Sequence, residues 1–234
     1  MSADFKPSFS ALPLAQQWLW PALRPLLALG FVLYGGTAVA LRLGHRTSID
    51  FDFFCDRPLD RELIISSLQF MAQSTVVQDE TNTLSLLVST AGAKQALVKV
   101  SFFGSISFGR VGTPDMTDDQ VLQVASLDDL MATKVKVILQ RAEAKDYRDI
   151  AAMTTAGVDL SRGLAAARTM FGPNFQPSES LKALVYFADG DLGTLSNEEK
   201  RILVKAVSAV RDLPTVAIVS PQLSAATKDR KSVV

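Results

Sequence analysis

The sequence is short of the residues on which several chemistries depend. It holds one cysteine, Cys55, and one histidine, His45. A lone cysteine cannot close an internal disulfide, so a reducing compartment, the cytoplasm, is expected. The same scarcity rules out a zinc site built from Cys and His ligands. A Ser-His-Asp triad would have to use His45, and no G-x-S-x-G elbow accompanies it. An excess of charge of one sign is also missing, since Lys plus Arg and Asp plus Glu both number 24. Net charge therefore offers no broad attraction to nucleic acid or a membrane, and any polyanion site must come from a local cluster. Nor is there a long apolar run. The most apolar stretch, residues 26–41, contains Gly35-Gly36 and lies between Arg24 and Arg42. It falls short of the roughly 20 residues of a membrane span, so a buried strand and helix explain it better. The first residues lack a basic end followed by an apolar run and a small-residue cleavage site, and no signal peptide is expected.

What is present suits a packed core. Of 234 residues, 48% are apolar, enough for one moderate domain or a core with a helical extension. Residues 14–29 read as a helix that Pro21 and Pro25 would kink or split. Phe31, Val32, Leu33 and Tyr34 form a short buried strand ending in Gly35-Gly36. Thr37, as N-cap, opens a helix that Gly44 stops. Residues 61–73 suggest a helix, and residues 84–88 and 96–103 suggest two strands joined through Thr90-Ala91-Gly92-Ala93. The polar stretch 109–123 is the candidate boundary. From the N-cap Ser126 one long helix is expected to about Thr154, then two or three more helices over 160–211 with breaks at Gly172-Pro173 and Gly190–Gly193. The expected organisation is a core over 1–115, a helical region over 116–212 and a loose tail over 213–234.

The chemistry-bearing constellation lies in the first part. Gly35-Gly36 is followed, after 13 intervening residues, by Asp50-Phe51-Asp52. Ile49, Phe51 and Phe53 alternate with Ser48, Asp50 and Asp52, the period of a strand with one apolar and one polar face. Asp50 and Asp52 then share a face, roughly 7 Å apart along the strand. Two carboxylates held that close repel, and a divalent cation between them removes the penalty. Magnesium takes few protein ligands and completes its shell with water and phosphate oxygens. A glycine turn opening a helix presents backbone N–H groups to an anion. Taken singly, a D-x-D pair is often an exposed edge and a Gly-Gly pair a plain turn; their order and spacing together point to a metal–triphosphate site.

A second signal lies on the predicted long helix. Lys134, Arg141, Lys145 and Arg148 stand at offsets 0, 7, 11 and 14, a narrow stripe at 100° per residue. Val135, Ile138, Leu139 and Ile150 would supply its buried side. By itself the stripe reads as a solvated face with Lys145–Asp149 as an ordinary i,i+4 pair.

The run YGGTAVALRLGHRTSIDFDFF resembles the first motif of the AbiEii/AbiGii-type nucleotidyltransferases, within the DNA polymerase β-like superfamily. Tyr34-Gly35-Gly36, Asp50-Phe51-Asp52 and Phe53 match the superfamily pattern. Arg46 and Ser48 resemble the AbiEii-type branch more closely than aminoglycoside-modifying relatives. A later family segment, a Lys, an Arg and then R/K-D-x-x-D, is matched by Lys134, Arg141, Lys145-Asp146 and Asp149. The resemblance implies an α/β nucleotidyltransferase core with a short mixed sheet and a C-terminal helical part. It implies that Asp50 and Asp52 hold Mg2+, and that Gly35, Gly36, Thr37, Arg46, Ser48, Lys134, Arg141 and Lys145 bind a nucleoside triphosphate. Lys134 would contact the triphosphate, and Asp146 and Asp149 would belong to the active site or its support. The implied acceptor is RNA, particularly a tRNA 3′ end, or a protein, in the manner of a toxin paired with an antitoxin protein. A small-molecule acceptor is the second enzymatic reading. One departure stands out: Ser101 occupies the place where a third carboxylate is expected, which leaves open a nucleotide- or partner-binding protein without catalysis. His45 reads as a loop residue, Cys55 as passive, and Trp18 and Trp20 as packing groups.

Overall fold

Phe51 and Phe53 decide which way the central strand faces, and the rest of the sheet follows. A computed structural model describes residues 5–90 and 96–225. In chain order its elements are helix α1 (Leu14–Leu19), strand β1 (Val32–Tyr34), helix α2 (Gly35–Leu43), strand β2 (Asp50–Phe54) and helix α3 (Arg61–Ser67). Strands β3 (Ser74–Glu80), β4 (Thr83–Ser89), β5 (Leu97–Phe103), β6 (Asp115–Met116) and β7 (Gln123–Val124) follow. Helices α4 (Leu127–Val137), α5 (Ala144–Thr155), α6 (Leu160–Phe171), α7 (Pro177–Ala183) and α8 (Asn197–Ala209) complete the order.

The seven strands form one mixed sheet in the order β3-β4-β5-β2-β1-β7-β6. β2 pairs parallel with β5, and β1 with β7; the other neighbours are antiparallel. On the packed face, Phe51 and Phe53 are fully buried with Val100, Phe102 and Leu86 from the adjacent strands. Their rings continue a chain of contacts: Trp20–Phe51 at 6.3 Å, Phe51–Phe53 at 6.0 Å, Phe53–Phe102 at 5.8 Å and Phe102–Phe31 at 5.2 Å. Each such ring removed from water stabilises the fold by about 1.5–3 kcal/mol, so this face cannot turn outward. The opposite face of β2 is thereby fixed as the one that carries Asp50 and Asp52. Trp20 packs as expected and donates its indole N–H to Asp119 at 2.7 Å, whereas Trp18 stays 60% exposed on α1.

Several expected elements are revised. The helix over 14–29 splits, as its prolines led us to expect, giving way after Leu19 to a 3-10 stretch, Trp20–Leu27, because Pro21 and Pro25 lack the N–H that an α-helix needs. The helix over 61–73 ends at Ser67, with a 3-10 turn before β3. β3 escaped notice because it is an edge strand, exposed along nearly its whole length, with no buried alternation to read. The polar stretch 109–123 adds β6 and the start of the short β7 to the sheet, and one hydrophobic cluster runs from the strands into α4, α5 and α6. The long helix from Ser126 is two helices. Residues 139 and 140 bond back only three positions, to Lys136 and Val137, which tightens and ends α4. α5 then starts afresh, its Ala144 N–H capped by Asp191 at 2.6 Å. Ser126 does cap α4.

The expected loose tail docks as far as Ala225. Arg110 and Ser220 form a bridge, Val216 accepts from Thr169, and Leu223 is fully buried. Residues 226–234 lie outside the described residues, as do residues 91–93 of the expected loop between the two strands. Among the described residues no helix is long and apolar enough to cross a membrane.

Candidate active site

The strand-to-helix passage at Gly35-Gly36 and the open face of β2 build one site. Gly35 takes φ +72°, a left-handed conformation, as the chain leaves β1 and enters α2. A Cβ added there would lie 2.6 Å from a carboxylate oxygen of Asp52. A Cβ at Gly36 would run into the Arg46 guanidinium and sit 3.5 Å from Asp149. The glycines are thus needed so that backbone can approach two charged groups. Gly35→Ala is expected to cost about 1–3 kcal/mol from strain alone, read by chemical denaturation, and to displace the Asp52 carboxylate. Thr37 is not the N-cap. The helix begins at Gly35, and Thr37 lies within its first turn, buried. Its hydroxyl donates to the Asp50 carbonyl and lies 2.8 Å from the Ser48 hydroxyl, pinning the start of β2 to α2.

Asp50 and Asp52 point from β2 into a cavity of about 840 Å3. Both are partly buried. Burial raises the Asp52 carboxyl above its usual value, and the neighbouring Asp50 charge raises it further. This is the electrostatic penalty that a divalent cation would relieve, and two carboxylates facing an open cleft are a donor set that suits magnesium. No group of three or more His, Cys, Asp or Glu suited to a metal occurs among the described residues, so the pair would rely on water and substrate oxygens to complete the shell. Across the parallel pairing, Lys99 stands beside Asp50 and Ser101 beside Asp52. Ser101, the serine where the resemblance led us to expect a third carboxylate, is buried, 3.1 Å from the Ser85 hydroxyl.

Of the other expected site residues, Gly35, Gly36, Arg46, Ser48, Lys134 and Arg141 line this cavity, as does Lys145. Thr37, Asp146 and Asp149 lie behind its wall. The broken helix brings the two motif segments together by a route different from the expected stripe. α5 turns back against α4, and Lys134 from α4 meets Asp146 and Asp149 from α5, each at 2.6 Å. Asp149 is fully buried and accepts from Arg46 twice, at 2.6 and 2.9 Å, and from His45 at 2.7 Å. Lys134 adds an ion pair to these three hydrogen bonds. Asp146, also fully buried, pairs with Arg141 at 2.9 Å as well. Burial alone would raise both carboxyls; Lys134 with Arg141 for Asp146, and Lys134 with His45 and Arg46 for Asp149, outweigh it and hold both below the usual carboxylate range. The Lys134 ammonium donates one of its three N–H groups to Asp146 and forms an ion pair with Asp149. It keeps donor capacity for the cavity it lines. Arg148 leaves the group and reaches Thr194 and Glu199, and Lys145 pairs with Glu143 rather than Asp149.

Two residues of the site were not assigned a role from the sequence. His45 is a partly buried partner of Asp149 rather than a bland loop residue, because Gly44 turns the chain back toward α5. Lys99 lines the cavity and makes no hydrogen bond or ion pair among the described residues, unlike each of the other cations there. Its signal was present in the sequence, as a lysine in the middle of a strand on the face of Ser101.

Comparison with known proteins bears on this arrangement. The family described as "Nucleotidyl transferase AbiEii toxin, Type IV TA system" matches residues 19–180. The chain is 30% identical over 175 residues to an uncharacterized protein of Aquifex aeolicus (strain VF5), covering 72% of this chain and 81% of that one. Its structure is similar to MenT4, a nucleotidyltransferase toxin from Mycobacterium tuberculosis H37Rv, with a TM-score of 0.59 at 14% identity over 87% of this chain and 86% of that one. It is also similar to an antigenic nucleotidyltransferase-like protein from Paracoccidioides brasiliensis, with a TM-score of 0.52 at 19% identity over 86% and 96% of the two chains. At these identities the structural likeness speaks for the fold alone.

Proposed function

Because this chain belongs to the AbiEii nucleotidyltransferase toxin family, we propose that it moves a nucleoside monophosphate from a magnesium-bound nucleoside triphosphate to an acceptor hydroxyl. The observation that carries the reading is the pair Asp50 and Asp52, facing a large cleft beside a glycine turn whose Cβ-free backbone abuts Asp52. Magnesium, held by those two carboxylates, would neutralise charge on the phosphate oxygens. The Gly35 and Gly36 amides and the start of α2 position the phosphates. Lys134, fixed by Asp146 and Asp149, offers its remaining donor capacity to the charge that develops on the leaving group, and Arg141 adds a second cation. Asp146 and Asp149 are positioning residues: their oxygens are spent on Lys134, Arg141, Arg46 and His45, so neither can take a proton from the acceptor.

Lys99 lies across β2 from the glycine turn, and in-line displacement places the attacking hydroxyl opposite the leaving group. Lys99 therefore serves the acceptor side. Lys99→Met is expected to lower transfer by about ten- to a hundred-fold, the worth of one charged hydrogen bond, with the affinity for magnesium nucleotide retained. Loss of nucleotide affinity in that variant would move Lys99 to the triphosphate side.

The test of the function is incubation with magnesium, each labelled nucleoside triphosphate and total RNA. Label entering RNA supports an RNA acceptor, in keeping with a toxin held in check by an antitoxin protein. Label entering protein identifies a protein acceptor. Ser101 favours one other reading, a module that binds nucleotide without turnover, and binding with no pyrophosphate release would establish that instead.

A further inference from the structure

The cavity has two chemically different ends. The pairing of β1 with β2 sets Tyr34 against Asp52 and Val32 against Phe54. Gly35 and Gly36 therefore lie toward the Asp50 end of β2, and Phe54 lies at the other. Around the glycine end and the α4–α5 wall stand Arg46, Lys134, Arg141 and Lys145. Around the Phe54 end stand rings from four separate segments: Phe54 on β2, Phe103 opposite it on β5, Phe108 in the following loop and Phe171 at the end of α6. Each of the four is only half-buried, in contrast to the fully buried Phe51, Phe53 and Phe102 of the packed face. Asp50 and Asp52 are the only carboxylates lining the cavity among the described residues.

We propose that the aromatic end is the stacking site for the nucleobase of the bound triphosphate, with Phe54 and Phe108 as its principal contacts; this rests on the nucleotidyltransferase reading above. A nucleotide has the same polarity as the cavity, a polyanion at one end and a flat π-surface at the other. Phe54 follows Asp52 by two residues on the same face, roughly 7 Å along the strand, about the reach of a ribose from a phosphate held at Asp52. The wall is stiff before any ligand arrives. Tyr34, itself buried, stacks on Phe54 at 4.9 Å with the planes 11° apart, Phe103 meets Phe54 edge-on at 5.1 Å, and Phe171 meets Phe108 edge-on at 5.2 Å. A rigid ring loses little conformational freedom when a base docks on it. Every base has a π-face, so such a wall adds affinity with tolerance of base identity.

The test is calorimetric titration of the full chain, in magnesium, with each of the four ribonucleoside triphosphates and with inorganic tripolyphosphate. The nucleotides are expected to bind about five- to a hundred-fold tighter than tripolyphosphate, the worth of one stacked base. Phe54→Leu and Phe108→Leu are each expected to shrink that ratio severalfold while leaving the tripolyphosphate affinity unchanged. Phe171→Leu gives the same readout if either variant fails to fold. Equal affinity of the native protein for nucleotides and tripolyphosphate would overturn the stacking site while leaving the triphosphate reading intact, as would variants that weaken both ligands alike. Failure of every ligand to bind would overturn the nucleotide reading and the stacking site with it.

Discussion

Asp52→Asn is expected to make the metal-free protein more stable and the enzyme inactive. The folded protein holds the Asp52 proton more tightly than the unfolded chain does, because burial and Asp50 both disfavour its charge. Its ionised form therefore costs stability, and the cost fades as pH falls through the raised folded value. An amide of nearly the same shape removes the charge. The melting temperature without magnesium should rise above that of the native protein, and added magnesium should lift it far less than it lifts the native protein. Transfer from nucleoside triphosphate should fall at least about a thousand-fold, since several kcal/mol of charge stabilisation is lost. Asp50→Asn should show the same loss of activity with the fold intact. A thermal melt with and without magnesium, run beside the label-transfer assay, checks both arms. Retained transfer in either variant would remove the metal role from this pair. A residue that destabilises its own protein until a ligand arrives is what a binding site requires and a packing residue does not.

Asp149→Ala should produce the opposite pattern, a large loss of stability together with loss of activity. The carboxylate serves Lys134, Arg46 and His45 at once and has no exposure. Removing it leaves Lys134 with Asp146 alone and strands Arg46 beside Gly36. Breaking a buried ion pair from one side costs about 3–5 kcal/mol, measurable by urea or guanidinium denaturation. The network also carries a pH signature. Both Asp146 and Asp149 are held below the usual carboxylate range. Their contribution is present in full above the unfolded value, near 4, and is lost as pH falls through the lower folded values. Acid unfolding of the native protein should therefore be displaced to lower pH than that of Asp149→Asn. A variant as stable as the native protein would show that the buried ion cluster is not what joins α4, α5 and the β2 approach.

Much of the candidate site on β2 could be read without coordinates, because it is local. The Phe51 and Phe53 rings commit one side of β2 to the core, and the strand period then forces Asp50 and Asp52 to the other. The glycine turn precedes them by a fixed spacing, and Gly44 ends the intervening helix as expected. Helices α6 and α8 were legible for the same reason, as were the breaks between them. β3 was not, since an edge strand in water needs no apolar alternation. The break between α4 and α5 was also hidden, because the cap that starts α5 comes from Asp191, 47 residues away.

The sequence by itself determined which two acids share a face and which turn lies beside them, since a period of two residues along a strand leaves no freedom once one face is apolar. Only the tertiary structure decided what the remaining charges do. Asp149 meets Arg46 and His45 across more than a hundred residues of chain, and no spacing rule could pair them. The folding-back of α5 onto α4 took Lys134 and Arg141 out of an apparent solvated stripe and set them on the buried carboxylates of Asp146 and Asp149. Among the described residues it left Lys99 as the one cation lining the cleft without a hydrogen bond or ion pair, because the partner of a charge is set by which elements pack together.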